Sequence, residues 1–139
     1  MKEMIRVAAG EPLSVKQEDI HLQGHAMECR INAEDPAHHF RPCPGVIEAI
    51  HLPGGNGVRI DTAAYNGYEI PPFYDSMIAK VIVHGRTRQE AIDKMRSTLG
   101  ELIIDGVTTN VDFQYEILDN EDFQAGEITT DFIPMHFNL

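Results

Sequence analysis

Cysteine is scarce in this 139-residue chain: Cys29 and Cys43 are the two present, in no CxxC pair and in no Cys/His cluster with zinc spacing. That excludes a disulfide-framed scaffold and a zinc-ribbon module, and it fits a reducing, cytoplasmic setting. Basic residues are few as well, 11 Lys and Arg against 22 Asp and Glu, for a formal net charge of −11. A nucleic-acid binder needs a cationic face to displace condensed counterions, so nucleic acid is set aside as a partner. No apolar run reaches membrane length, and Glu3 and Arg6 interrupt the one stretch, MKEMIRVAAGEPL, with any likeness to a signal peptide. A soluble protein with no membrane partner is expected.

The common catalytic signatures are missing too. A phosphate-binding loop needs a Gly-rich turn that opens a helix and carries a Lys, whereas PGGNGVRID at 53–61 feeds a strand and has none. Seven histidines are present, but there is no HExxH or HxH, and the adjacent His38 and His39 cannot both point one way from an extended segment. They read as surface residues, and no metal site is expected. No GxSxG elbow marks a nucleophile. There is no internal repeat or Gly/Ser linker, and with 42% apolar residues the chain suits one globular domain that buries roughly two-thirds of its unfolded surface.

What is present begins with a helical stripe, Met1, Met4, Ile5 and Ala8, stopped by Gly10 and Pro12. A chain that starts in mid-helix with no N-cap points to an upstream continuation. Over residues 24–35, Met27, Cys29 and Ile31 alternate with Glu28, Arg30 and Asn32, the period of a half-buried strand. Residues 46–52 and 58–60, joined by PGGNG, predict a hairpin. The Ile- and Val-rich run at 77–84, closed by Gly85, predicts a central strand. Thr87 and Glu90 form a capping-box pattern ahead of a helix that turns Ala91, Ile92, Met95 and Leu99 inward. A strand at 102–104, the Asp105-Gly106 turn, and Asn110 as N-cap of a helix over 111–118 follow, and beyond Asn120 the chain reads as polar and irregular. Strands first and helices mostly later predict an α+β domain, an antiparallel sheet with flanking helices.

One side chain on the polar face of the first strand invites chemistry. Arg30 is flanked at i−2 and i+2 by Glu28 and Asn32, which are placed to fix its guanidinium for an anion; the plain alternative is an ordinary ion pair with Glu28. Asp75, just ahead of the central strand, suits either an arginine partner or a turn cap.

The strings HAMECRINAEDP (25–36), PGGNGVRID, PPFYDSMIAKVIVHG (71–85) and IIDGVTTN (103–110) resemble, in order and over nearly the whole chain, the C-terminal domain of biotin carboxylases. The resemblance implies that residues 1–139 are that one domain of an ATP-grasp-type enzyme whose N-terminal and ATP-grasp regions are not in this sequence. It implies a reaction in which ATP and bicarbonate give carboxyphosphate and biotin on a carrier protein is then carboxylated, the first half-reaction of acetyl-CoA carboxylase. Magnesium or manganese, the ATP site and the general base would belong to the upstream portion, and the fragment alone would be inactive.

By resemblance, Arg30 contacts the ureido oxygen of biotin and steadies the enolate, with Glu28, Asn32 and Asp75 in support. Charge developing on that oxygen is best met by a permanently cationic planar donor. Thr130 and Asp131, in GEITTDFI at 126–133, would approach the adenine. The turn with Asn56 and Arg59 would lie at a homodimer interface, with Asn56 where some relatives carry an aromatic. Partners implied are the upstream portion, the biotin carboxyl carrier protein and the carboxyltransferase subunits. A natural end at Leu139 would favour the stand-alone subunit of a bacterial-type acetyl-CoA carboxylase; otherwise the same domain of pyruvate or propionyl-CoA carboxylase stays open. The alternative from a different class is a dimerisation or partner-binding module without catalysis.

Overall fold

A computed structural model describes residues 1–138; Leu139 lies outside them. In chain order the elements are α1 (Lys2–Ala8), β1 (His25–Asn32), the two-residue strands β2 (Glu34–Asp35) and β3 (Arg41–Pro42), β4 (Ala49–His51), β5 (Val58–Thr62), β6 (Met77–Gly85), α2 (Arg88–Glu101), β7 (Ile103–Asp105), α3 (Val111–Asp119), α4 (Glu121–Ala125) and α5 (Phe132–His136). The main sheet is antiparallel, in the order β1-β6-β5, and β6 is its centre. The expected α+β architecture is present.

The central strand is buried as its composition predicts, with Ile78, Ala79, Val81 and Val83 inside. Because strand side chains alternate, Cys29 and Ile31 of β1, Val81 and Val83 of β6, and Val58 and Ile60 of β5 share one face. Helix α2 covers that face with Ala91, Ile92, Met95 and Leu99, all buried. Gly85 permits the close crossing, since a Cβ there would sit 2.8 Å from the Ala91 amide nitrogen. Thr87 caps α2 by accepting from the Glu90 amide at 3.2 Å. The expected reciprocal bond is displaced by one residue: the Glu90 carboxylate accepts from the Arg86 amide and from Arg86 Nε at 2.9 Å, because the arginine adds an ion pair that the Thr87 amide cannot.

Two expectations are corrected. Residues 46–52 and 58–60 are not a hairpin: β4 pairs with β7, and β5 pairs with β6. The local turn signal loses to burial, since pairing with β6 carries Val58 and Ile60 onto the α2-covered face, and Ile47 is buried through backbone bonds to Tyr68 and Gly67. The stretch past Asn120 is not irregular. Asn120 caps α4 by accepting from the amides of Asp122 and Phe123, and Phe132 of α5 is buried against the Phe123 ring, 6.0 Å between centroids. Five-residue helices leave too short a period to be read from sequence.

Candidate functional site

The face of the main sheet opposite α2 carries the polar set of β1. Register places Arg30 opposite Lys80, and Lys80 opposite Asp61, so the three side chains lie in one row across the strands. The neighbouring charges neutralise one another. Lys80 Nζ lies 3.6 Å from Glu28 Oε1, and the Arg59 fork meets the Asp61 carboxylate with two bonds of 2.8 Å. That pairing holds the Asp61 carboxyl below its usual range and raises Arg59.

Arg30 is the exception on this face. It forms no ion pair with a carboxylate among the described residues, is exposed, and donates from Nε to the Met77 thioether at 3.1 Å. The flanking pair expected to hold it does not. Glu28 is engaged by Lys80 from the adjacent strand, and the Asn32 side chain donates to Glu34 at 3.3 Å. Asp75 accepts from the Met77 amide at 2.8 Å, so it shapes the entry to β6 and thereby the thioether on which Arg30 rests. A cavity of about 350 Å³ opens beside this group, lined by Asp75, Met77, Lys80, Asp61 and Tyr74.

Thr130 and Asp131 are both exposed and lie away from this cavity's lining. Thr130 borders a second cavity, of about 300 Å³, with Met27, Cys29, Ile117 and Phe132; Asp131 precedes α5 without a side-chain cap bond. Cys29 is no nucleophile there: burial, and secondarily the Glu28 charge, push its thiol up to about 12, so it stays protonated. Asn56 and Arg59 are exposed at the turn into β5. Among the described residues no three His, Cys, Asp or Glu side chains gather in a group that could hold a metal ion. No helix among them is long and apolar enough to cross a membrane.

The biotin carboxylase C-terminal domain model matches residues 28–135. The chain belongs to the biotin carboxylase C-terminal domain family. It is 53% identical over 133 residues to biotin carboxylase 1 of Bacillus subtilis, a match that covers 96% of this chain but 30% of that protein. It is 55% identical over 133 residues to a pyruvate carboxylase subunit of Methanothermobacter thermautotrophicus, covering 96% of this chain and 27% of that one. Among solved structures, the biotin carboxylase domain of the Hydrogenobacter thermophilus 2-oxoglutarate carboxylase superposes with a TM-score of 0.92 at 47% identity, over 95% of this chain and 29% of its own. That structure is a domain dimer in complex with MgADP, ADP and bicarbonate. The chain thus spans about 30% of the length of the family members it matches.

Three residues of the site escape a reading of the sequence. Met77 and Lys80 sit in a run that reads as buried strand, and only cross-strand register brings them to Arg30. The spacing makes Asn110 a helix cap, but it makes no side-chain cap bond and reaches back to β1 instead. Its one visible trace in the sequence is its place in the string IIDGVTTN.

Proposed function

We propose that the chain serves as the C-terminal domain of a whole biotin carboxylase, completing the site where biotin, presented by its carrier protein, is carboxylated at the expense of ATP with bicarbonate as the carbon source. The observation that carries this reading is the free guanidinium of Arg30, set on the Met77 sulfur beside a cavity of about 350 Å³ on a face whose other charges are paired. An unpaired, planar, permanent cation is poised to meet negative charge developing on the ureido oxygen, because no local carboxylate competes for it. Asp75 supports the Met77 seat, while Glu28 holds Lys80 off the guanidinium.

ATP, its divalent metal and the general base are assigned to the upstream portion, with Thr130 and Asp131 approaching the adenine it holds. Asn56 and Arg59 are assigned to a homodimer contact, supported by the domain dimer seen in the Hydrogenobacter structure. With Asn56 in place of an aromatic, that contact loses buried apolar area and is weaker than in relatives that keep one. We assign the enzyme to the cytoplasm. We take the half-reaction to be that of the acetyl-CoA carboxylase of fatty acid synthesis, with which relatives named simply as biotin carboxylase are compatible. The pyruvate carboxylase relative from Methanothermobacter supports a second reading, in which the same half-reaction feeds another acceptor. Separate carboxyltransferase subunits make that choice, so Arg30 has the same task in both.

The test is biotin carboxylation by the domain joined to its upstream portion, with Arg30 replaced. Arg30→Ala lowers kcat by about 100- to 1,000-fold, the loss typical of an oxyanion donor. Arg30→Lys recovers part of it, because charge without the fork is retained. A variant rate equal to the parent's would sink the assignment.

A further inference from the structure

Strand β1 lies at the edge of its sheet, with β6 on one side and, among the described residues, no strand on the other. An edge leaves backbone donors and acceptors to be satisfied by something else. At Arg30 and Asn32 that something is one side chain, 80 and 78 residues further along the chain. Asn110 Oδ1 accepts from the Asn32 amide at 2.9 Å, and its Nδ2 donates to the Arg30 carbonyl at 3.1 Å. The Asn110 amide also donates to the Asn32 carbonyl at 3.1 Å. The carboxamide thus stands in for a peptide unit of an absent neighbouring strand, and it is buried, only 5% exposed.

Two features set this apart from routine edge capping. The bonds bracket the step from Ile31 to Asn32, where Ile78 of β6 is the extra residue of a bulge, the β1–β6 register shifts and the ladder alone no longer fixes the strand's direction. The bonds are also made at the expense of α3, whose N-cap position Asn110 occupies without the side-chain cap bond that ordinarily stabilises a helix start. Arg30 is exposed, and its one side-chain hydrogen bond among the described residues is to the soft Met77 sulfur, so its aim depends chiefly on the backbone from which it projects.

We propose that Asn110 is a positioning residue for Arg30, its buried carboxamide fixing the backbone on either side of that step so that the guanidinium points at the carboxylation site. This rests on the reading of Arg30 given above. A misplacement on the order of 1 Å can cost about 100-fold in rate.

The experiment is a double-mutant cycle in the whole enzyme, with bicarbonate-dependent ATP cleavage in the absence of biotin as the second readout. Asn110→Ala is expected to lower kcat for biotin carboxylation by about 100-fold in the parent and to add nothing in an Arg30→Ala background, because the two act as a unit. Biotin-independent ATP cleavage stays at the parental level, which a merely structural role would not allow. Should Asn110→Ala fail to fold, Asn110→Ser carries the same comparison, since its hydroxyl can serve one of the two backbone groups. Equal losses in both backgrounds, or a parallel fall in ATP cleavage, overturn the proposal. A severe Arg30→Ala defect with an innocuous Asn110→Ala overturns the positioning role alone; a harmless Arg30→Ala overturns the assignment of Arg30 together with it.

Discussion

In α2 the apolar stripe Ala91, Ile92, Met95 and Leu99 is buried throughout, whereas in α1 Met4 is 73% and Ile5 68% exposed, and no residue of 1–24 is buried. Both helices carry the same kind of amphipathic signal. The pattern declares a face; the stabilisation comes from whatever covers it, at about 25 cal/mol per Å² of apolar surface removed from water. For α2 the cover is the main sheet. For α1 nothing among the described residues supplies it, and its turn is tied down instead by Glu3, which accepts from the Ser14 hydroxyl and amide at 2.8 and 3.1 Å. Those two bonds, chiefly the hydroxyl one, hold the Glu3 carboxyl below its usual range.

The sharpest way to break this contrast is a matched pair of truncations in the chain by itself. Met95→Ala, at a fully buried position, should lower unfolding free energy by about 2 to 5 kcal/mol in urea denaturation. Met4→Ala on the bare stripe should stay within about 0.5 kcal/mol. Similar losses from both would mean that α1 is covered after all. A smaller effect is expected at the α2 start, where Thr87→Ala removes the bond to the Glu90 amide and should cost about 1 kcal/mol, seen as a lower denaturation midpoint.

The smallest expected effect concerns α5, where a histidine adds to the docking that buried Phe132 provides. His136 Nε2 lies 2.7 Å from Asp122 Oδ2 and Nδ1 lies 3.0 Å from the Phe132 carbonyl, two acceptors that only an imidazolium can serve together. Its pKa is therefore raised above 6.5, first by Asp122 and then by the carbonyl. A raised folded-state value gives stability that is full below about 6.5 and is lost as pH climbs through the folded-state pKa. Amide protection in α5 should weaken over that window, and His136→Gln should flatten the dependence. Protection in α5 that holds constant through that window would refute the docking role of this pair.

The same distinction decides how much is legible from the sequence. Elements whose own residues supply both period and partner, β6 with its Ile/Val run and α2 behind Thr87, are where the spacing puts them. The failures are pairings that depend on distant chain: β4 finds β7 rather than β5, Lys80 draws Glu28 from Arg30, and Asn110 turns from its helix to β1. Arg30 is legible as a cation on a polar strand face, but the residues alone suit an ordinary ion pair with Glu28, and the resemblance to the family is what singles it out. Its support is not legible, because Met77, Lys80 and Asn110 reach it only through register and tertiary contact.

The most direct measurement is ATP-dependent carboxylation of free biotin, with bicarbonate and magnesium present, by the 139-residue chain first alone and then with the upstream portion of a biotin carboxylase added. No turnover alone, restoration on addition, and loss of that restoration with Arg30→Ala is the predicted sequence of results. Turnover by the chain alone, or a restoration indifferent to Arg30, would contradict the account.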